Sequence, residues 1–241
     1  MIFYRPTLEP DSVVKLSRSE VQHCRALRLE NGAELLVSDG WNQYAHIQLE
    51  IPAWQFRIEK LLPIPSASEP AIRIVSALPA GQRLDWLLQK ATELGMADFQ
   101  PIHWQRSDRQ NYNMARMRRI LESAGSQSGR LRLPGLQTLV KASDWLADAR
   151  NPSNDSGLHR VWLHPRAEIS FGAWHQTVSA ELDHNALLEI WIGPEGGFSS
   201  AECRLFAERR IPSAHLGNYI LRVETAVLAA LAVCAAGCSG M

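Results

Sequence analysis

The sequence predicts an α/β protein: a parallel sheet covered by helices on both faces, preceded by a small β-rich unit. Three features predict it. From residue 71 onward, runs of strand character alternate with helical apolar faces, as a parallel sheet requires. Residues 1 to about 62 instead read as short strands broken by turn dipeptides. Between them, Pro63-Ile64-Pro65-Ser66-Ala67-Ser68-Glu69-Pro70 is rich in Pro and Ser and has no periodicity, so the boundary falls there, giving domains 1–68 and 69–241.

In the first domain, Ser17 and Glu20 have capping-box spacing for a helix over residues 18–27, with His23, Arg25 and Arg28 near its end. After the Asn31-Gly32 turn, a strand at 33–37, the Asp39-Gly40 hairpin turn and a returning strand at 44–51 follow. Residues 54–61 alternate apolar and polar with period two. This is the pattern of a small barrel, a shape used both to bind nucleic acid and as a plain structural module.

In the second domain, residues 71–78 form a strand, and Leu84, Leu87, Leu88, Ala91 and Leu94 trace one helical face that Gly95 ends. A strand at 99–104, an arginine-rich helix at 113–126, a helix after Pro134 running through Trp145, and a strand at 161–164 complete the middle. Ligands of such sheets bind beyond the C-terminal ends of the strands. Two stretches near the chain's end have that character. In Leu188-Glu189-Ile190-Trp191-Ile192-Gly193-Pro194-Glu195-Gly196-Gly197-Phe198-Ser199, an apolar strand runs into glycines, and Ser199 with Glu202 starts a helix. The glycines let backbone approach a ligand closely, and Pro194 limits the loop's freedom. In Leu216-Gly217-Asn218-Tyr219-Ile220-Leu221-Arg222-Val223-Glu224-Thr225-Ala226, a charged pair sits where a loop becomes a long Ala-rich helix.

With 241 residues, 46% of them hydrophobic, the chain can build a sizeable core. Its net charge is zero but unevenly spread: residues 69–150 carry twelve basic against eight acidic groups. Arg106, Arg109, Arg116, Arg118, Arg119, Arg130 and Arg132 concentrate there, as a phosphate-contacting face or a solvated helix face. Cys24, Cys203, Cys234 and Cys238 are too few and scattered for a disulfide framework; the last two suit packed thiols better than a metal site. No apolar run reaches the roughly 18 residues of a membrane span, and no secretory leader opens the chain, so a cytoplasmic protein is expected. Repeats and low-complexity tracts are absent.

Taken together, Gly193-Pro194-Glu195-Gly196-Gly197 and Leu221-Arg222-Val223-Glu224-Thr225-Ala226 resemble the signatures of the ribosomal RNA small subunit methyltransferase E family, a SPOUT-class group. Weaker matches run along nearly the whole chain: Leu27-Arg28, Gly32, Asp39-Gly40, Lys90-Ala91-Thr92-Glu93-Leu94-Gly95, Pro101, Arg106-Ser107, Gln127, Arg130 and Pro134. The chain departs from the family's pattern at Ala80, Ser126, Asn218 and Tyr219. The resemblance implies a PUA-like N-terminal β-barrel, a catalytic domain with a C-terminal trefoil knot, and a homodimer packed through the knots. It further implies S-adenosylmethionine as cofactor, no metal, and methylation of N3 of one uridine near the 3′ end of 16S rRNA in the small ribosomal subunit.

By position, Leu163, Ile192, Gly193, Pro194, Glu195, Gly196, Gly197, Leu216, Gly217, Leu221, Arg222, Thr225 and Ala226 would line the donor pocket. Arg25, Arg28, Arg106, Arg116, Arg118, Arg119 and Arg130 would hold RNA phosphates. N3 of uracil carries a proton and offers no free lone pair, so its methylation needs that proton removed and the ring oxygens' charge stabilised. Arg222 is the candidate stabiliser, because its fork suits two oxygens. Glu224 either accepts the proton, orients Arg222, or only complements the helix dipole. His23, His103 and His164 are either RNA-facing or ordinary packed and surface histidines. Two other readings remain: the same fold acting on transfer RNA or another rRNA site, and an RNA-binding assembly factor without catalysis.

Overall fold

The computed structural model describes residues 1–66, 70–108, 111–148, 157–182 and 184–237. Part of the linker (67–69), Arg109 and Cys238 lie outside these. Two compact units are present: Met1–Ser66 with Glu122–Leu133, and Ala67–Leu121 with Pro134–Met241.

In the first unit, β1 (Ile2–Tyr4), β3 (Glu34–Ser38), β4 (Gln43–Gln48) and β6 (Leu62–Pro63) form one sheet in that order, and β2 (Val13–Lys15) pairs with β5 (Gln55–Arg57). The turns form as their residues dictate. Gly32 and Gly40 have φ of 83° and 82°, and Asp39 Oδ1 accepts the N–H groups of Trp41, Asn42 and Gln43. Helix α1 (Arg18–Ala26) begins with the expected Ser17–Glu20 capping box. Phe3, Val37, Ala45, Ile47, Phe56 and Ile58 fill the core, with the Phe3 and Phe56 rings stacked 5.8 Å apart. The strand expected over 54–61 shrinks to three residues paired with β2, and its flanks Trp54 and Ile58 make backbone hydrogen bonds to Leu16, Asp11 and Ser12 beside that strand.

This unit also takes in a segment that the boundary at residue 68 assigned elsewhere. Ser38 Oγ donates to Leu131 O at 2.7 Å, Leu133 N–H to Gly40 O at 2.8 Å, and the Tyr4 hydroxyl to Arg130 O. Burial pushes the Tyr4 phenol above its usual range and the Arg130 guanidinium below its own.

The second unit is built on a parallel sheet in the order β10 (Val140–Lys141), β8 (Asp98–His103), β7 (Ala71–Ser76), β12 (Leu187–Ile192), β11 (Leu158–Leu163), β13 (Ser213–Ala214), with β9 (Gly135–Leu136) also on β8. Period-two alternation along β12 explains the layering. Leu188, Ile190 and Ile192 join the core under α2 (Gln82–Glu93), α3 (Met114–Ser128), α5 (Phe171–Ser179) and α7 (Val223–Gly237). Trp191 points the other way, into a cluster with Trp104, Trp162, Phe198 and Phe206 beside α4 (Ala142–Asp148) and α6 (Ser200–Glu208). Helix α2 ends at Leu94 with Gly95 at φ 94°; Lys90 pairs with Glu93 at 2.8 Å and Thr92 Oγ1 donates back to Leu88 O. These bonds make the Lys90–Gly95 motif a helix-ending device.

The helix expected from Pro134 through Trp145 is corrected: α4 starts only at Ala142, after β9 and β10. Gly135 N–H donates to Ala97 O and Gln137 N–H to Phe99 O, so pairing with β8 overrides helical propensity. Helix α5 and strands β1, β2 and β13 had no clear sequence signal.

Candidate methyl-donor pocket

The strands β11 and β12 end at Leu163 and Ile192, and the segments that follow them, with the stretch after β13, enclose a cavity of about 700 Å³, counting the part open to solvent. It is lined by Leu163, His164, Pro165, Ile192, Gly193, Pro194, Glu195, Gly197, Phe198, Leu216, Gly217, Tyr219, Ile220, Leu221, Val223 and Ala226. Of the residues the sequence assigned to a donor, Leu163, Ile192, Gly193, Pro194, Glu195, Gly197, Leu216, Gly217, Leu221 and Ala226 meet here. His164, Pro165, Phe198, Tyr219, Ile220 and Val223 were not assigned to it; all but His164 and Pro165 lie inside the two motif stretches, and those two follow directly on Leu163.

The glycine loop is shaped by few interactions. Gly197 N–H donates to Pro194 O at 2.8 Å, closing a four-residue turn, and Gly197 takes φ 69°. At Gly193 a Cβ would stand 3.2 Å from the Phe198 ring, so any larger residue would require that ring to shift by a few tenths of an ångström. The Ser199–Glu202 capping box starts α6 directly behind the turn. Across the cavity, His215 Nδ1 accepts from Gly217 N–H at 3.1 Å and sets the second loop, where Gly217 has φ 129°. Burial, with Arg166 nearby, lowers the pKa of His164, which favours a neutral ring at the cavity wall.

Three assigned residues lie elsewhere. Gly196 packs on Arg106, with a built Cβ 3.3 Å from Arg106 Cβ. Arg222 and Thr225 line a neighbouring cleft with Gln82, Arg83, Trp86 and Glu224; Ile220 and Leu221 border both spaces. Arg222 is exposed, whereas Glu224 is 5% exposed and its Oε2 is buried with no hydrogen-bond partner among the described residues. The cleft and the donor cavity are also linked by an ion pair between Arg83 and Glu195 at 3.3 Å.

The arginines assigned to RNA are divided between the units. Arg25 and Arg28 are exposed in the first, Arg25 lying 5.1 Å over the Trp54 ring, and Arg130 is half-buried there. In the second, Arg118 and Arg119 are exposed, Arg116 pairs with Asp85, and Arg106 donates to the carbonyls of Gly196 and Phe198. His23 is exposed and His103 half-buried. Among the described residues, no cluster of His, Cys, Asp or Glu could hold a metal, and no helix is long and apolar enough to cross a membrane.

A family profile described as an RNA methyltransferase domain matches residues 67–235. The chain is 32% identical over 166 residues to the ribosomal RNA small subunit methyltransferase E of Bacillus subtilis, a match covering 66% of this chain and 63% of that one. Two solved structures resemble it over nearly its whole length. One is a methyltransferase from Legionella pneumophila in complex with bound SAM: 27% identity, TM-score 0.78, covering 98% of this chain and 97% of that one. The other is a ribosomal RNA small subunit methyltransferase E from Neisseria gonorrhoeae bound to S-adenosyl methionine: 25% identity, TM-score 0.75, covering 96% and 94%. The profile's span takes in both signature loops, and the chain belongs to the RNA methyltransferase domain family, within the ribosomal RNA small subunit methyltransferase E group.

Proposed function

We propose that this chain transfers a methyl group from S-adenosylmethionine to N3 of one uridine near the 3′ end of 16S rRNA, as a SPOUT-class enzyme. The observation that carries the reading is the convergence of both signature loops on one cavity at the C-terminal strand ends, in a chain whose solved relatives hold that donor.

The cavity suits the donor. Leu163, Ile192, Leu216, Leu221 and Ala226 offer an apolar slot for a purine, and glycine backbone lies open to its polar groups. When bound, the donor supplies an electrophilic methyl on a cationic sulfonium. Glu195 at the rim carries charge of the opposite sign, which complements the sulfonium, and a neutral His164 adds no repulsion. Glu224 accepts the N3 proton, and the proton then passes to solvent. Arg222 lies next to the donor cavity, and its guanidinium stabilises the oxygens of the uracil anion. The N3 lone pair so exposed forms the new N–C bond as the S–C bond breaks.

The strand order supports a C-terminal trefoil knot: β12 inserts between β7 and β11, and the chain passes to β13 on the far side of β11 before α7 returns against α2. Exposed Tyr219 and Ile220, at 84% and 85%, support a homodimer through this region. The first unit is read as a PUA-like RNA-binding barrel, and the substrate as the small subunit or its rRNA in the cytoplasm. Calorimetry with S-adenosylmethionine and primer extension across 16S rRNA test the reading. Donor binding and loss of one reverse-transcription stop in a deletion strain are expected; an unchanged stop pattern overturns the target.

A further inference from the structure

The loop after β8 is fastened to the glycine turn at several points. Arg106 Nη1 donates to Gly196 O at 3.0 Å and to Phe198 O at 3.4 Å. Gly196 lies close to the same side chain: an added Cβ would stand 3.3 Å from Arg106 Cβ. One residue earlier, Gln105 N–H donates at 2.9 Å to Glu202 Oε1, while Glu202 Oε2 accepts the Ser199 N–H at 2.7 Å. Beneath them, the Trp104 ring meets Phe198 edge-on at 4.9 Å. The Gly193–Gly197 turn contains three glycines and would otherwise sample many conformations, each cutting its readiness to hold a ligand.

We infer that Arg106 is a positioning residue of the donor pocket, holding the Gly193–Gly197 turn in its binding shape, and is not a phosphate contact. The inference rests on the donor reading above. One guanidinium nitrogen, Nη1, reaches both carbonyls from a planar group, whereas a lysine ammonium is a flexible point charge on a different stem and would not stand at that spot. At an RNA phosphate the salt-dependent part of the affinity follows the charge, which lysine keeps, and this difference separates the two roles.

The test uses the full-length protein and its Arg106→Ala and Arg106→Lys variants. S-adenosylmethionine affinity is measured by calorimetry, and affinity for small subunits lacking the modification is measured across a salt series. A brace predicts donor Kd about tenfold weaker for both variants, the scale of one charged hydrogen bond. It also predicts subunit affinity within about twofold and an unchanged salt slope. A phosphate contact predicts the reverse: donor Kd unchanged, Arg106→Lys near wild type, and the slope of log affinity against log salt reduced by about 0.7 to 0.9 in Arg106→Ala. That pattern overturns the inference, as does equal loss of both affinities. Failure of the wild-type protein to bind donor would instead remove the donor reading itself.

Discussion

Arg160 on β11 and Glu189 on β12 face each other across a parallel strand pair, Nε to Oε2 at 2.8 Å, and both are almost wholly buried. The pair is half of a row. Arg73 on β7 reaches Glu189 Oε1 at 2.9 Å and Asp98 on β8 at 2.5 Å, so charges alternate across four in-register strands. A one-residue slip of β12 would turn Glu189 to the opposite face and break the row. The row therefore supports the register that brings Leu163 and Ile192 together at the pocket.

Replacing Glu189 by Ala leaves two guanidinium groups facing each other without the carboxylate between them. Breaking a buried pair from one side costs about 3 to 5 kcal/mol. Urea unfolding of Glu189→Ala should show a loss of that size, and a loss below about 1 kcal/mol would contradict the role given to the row.

Gly193→Ala should damage the pocket without touching a charge. The added Cβ meets the Phe198 ring at 3.2 Å, and that ring is held edge-on against Trp104 and Phe206. Overpacking of this kind costs about 1 to 3 kcal/mol. A lower melting temperature together with weaker donor binding is expected, and an unaltered donor Kd would show that the loop is not part of the pocket.

Arg222 and Glu195 should separate cleanly in kinetics. Arg222 lines the neighbouring cleft and not the donor cavity, so Arg222→Ala should lower kcat by about 100-fold or more while donor Kd holds. Glu195 lines the cavity, so Glu195→Ala should raise donor Kd several-fold, roughly 1 kcal/mol for a half-exposed charge, with a smaller effect on kcat. An Arg222→Ala enzyme with normal turnover would remove Arg222 from the chemistry.

Stability should fall on the acid side. His175 is buried on α5, and burial lowers its pKa; His164 shifts the same way, by burial and then Arg166. The unfolded chain then binds more protons than the folded one below about pH 6.5, the ordinary histidine value. Stability is therefore fully present above that pH and is lost as pH falls from it toward the lowered folded-state values. Urea midpoints at pH 7.5 and 5.5 should show this drop, and His175→Gln should reduce it; an unchanged drop would exclude His175 as a source.

Much of the site was legible because its two segments carry local chemistry. Paired glycines, Pro194 and the Ser199–Glu202 spacing specify a turn followed by a helix whatever surrounds them; Pro194 and Gly197 line the cavity, and the capped helix starts directly behind. The parallel sheet was legible because 71–78, 99–104 and 161–164 each read as a strand on their own. What the sequence hid depends on distant partners. Residues 135–141 read as helix until β8 supplies hydrogen bonds, and β13 is two residues long, defined only by its contact with β11. Residues 122–133 read as continuous with the second domain, yet Leu131 and Leu133 bond to the loop after β3. Arg106 carried a charge signal that pointed to phosphate, and only the fold shows the two carbonyls it meets.

The most direct test of the central claim is transfer from methyl-labelled S-adenosylmethionine to small ribosomal subunits from a strain lacking this chain, followed by nucleoside digestion of the 16S rRNA. Label recovered as 3-methyluridine from a single site near the 3′ end is the predicted result. Donor bound without transfer, or label in another nucleoside or another RNA, would contradict it.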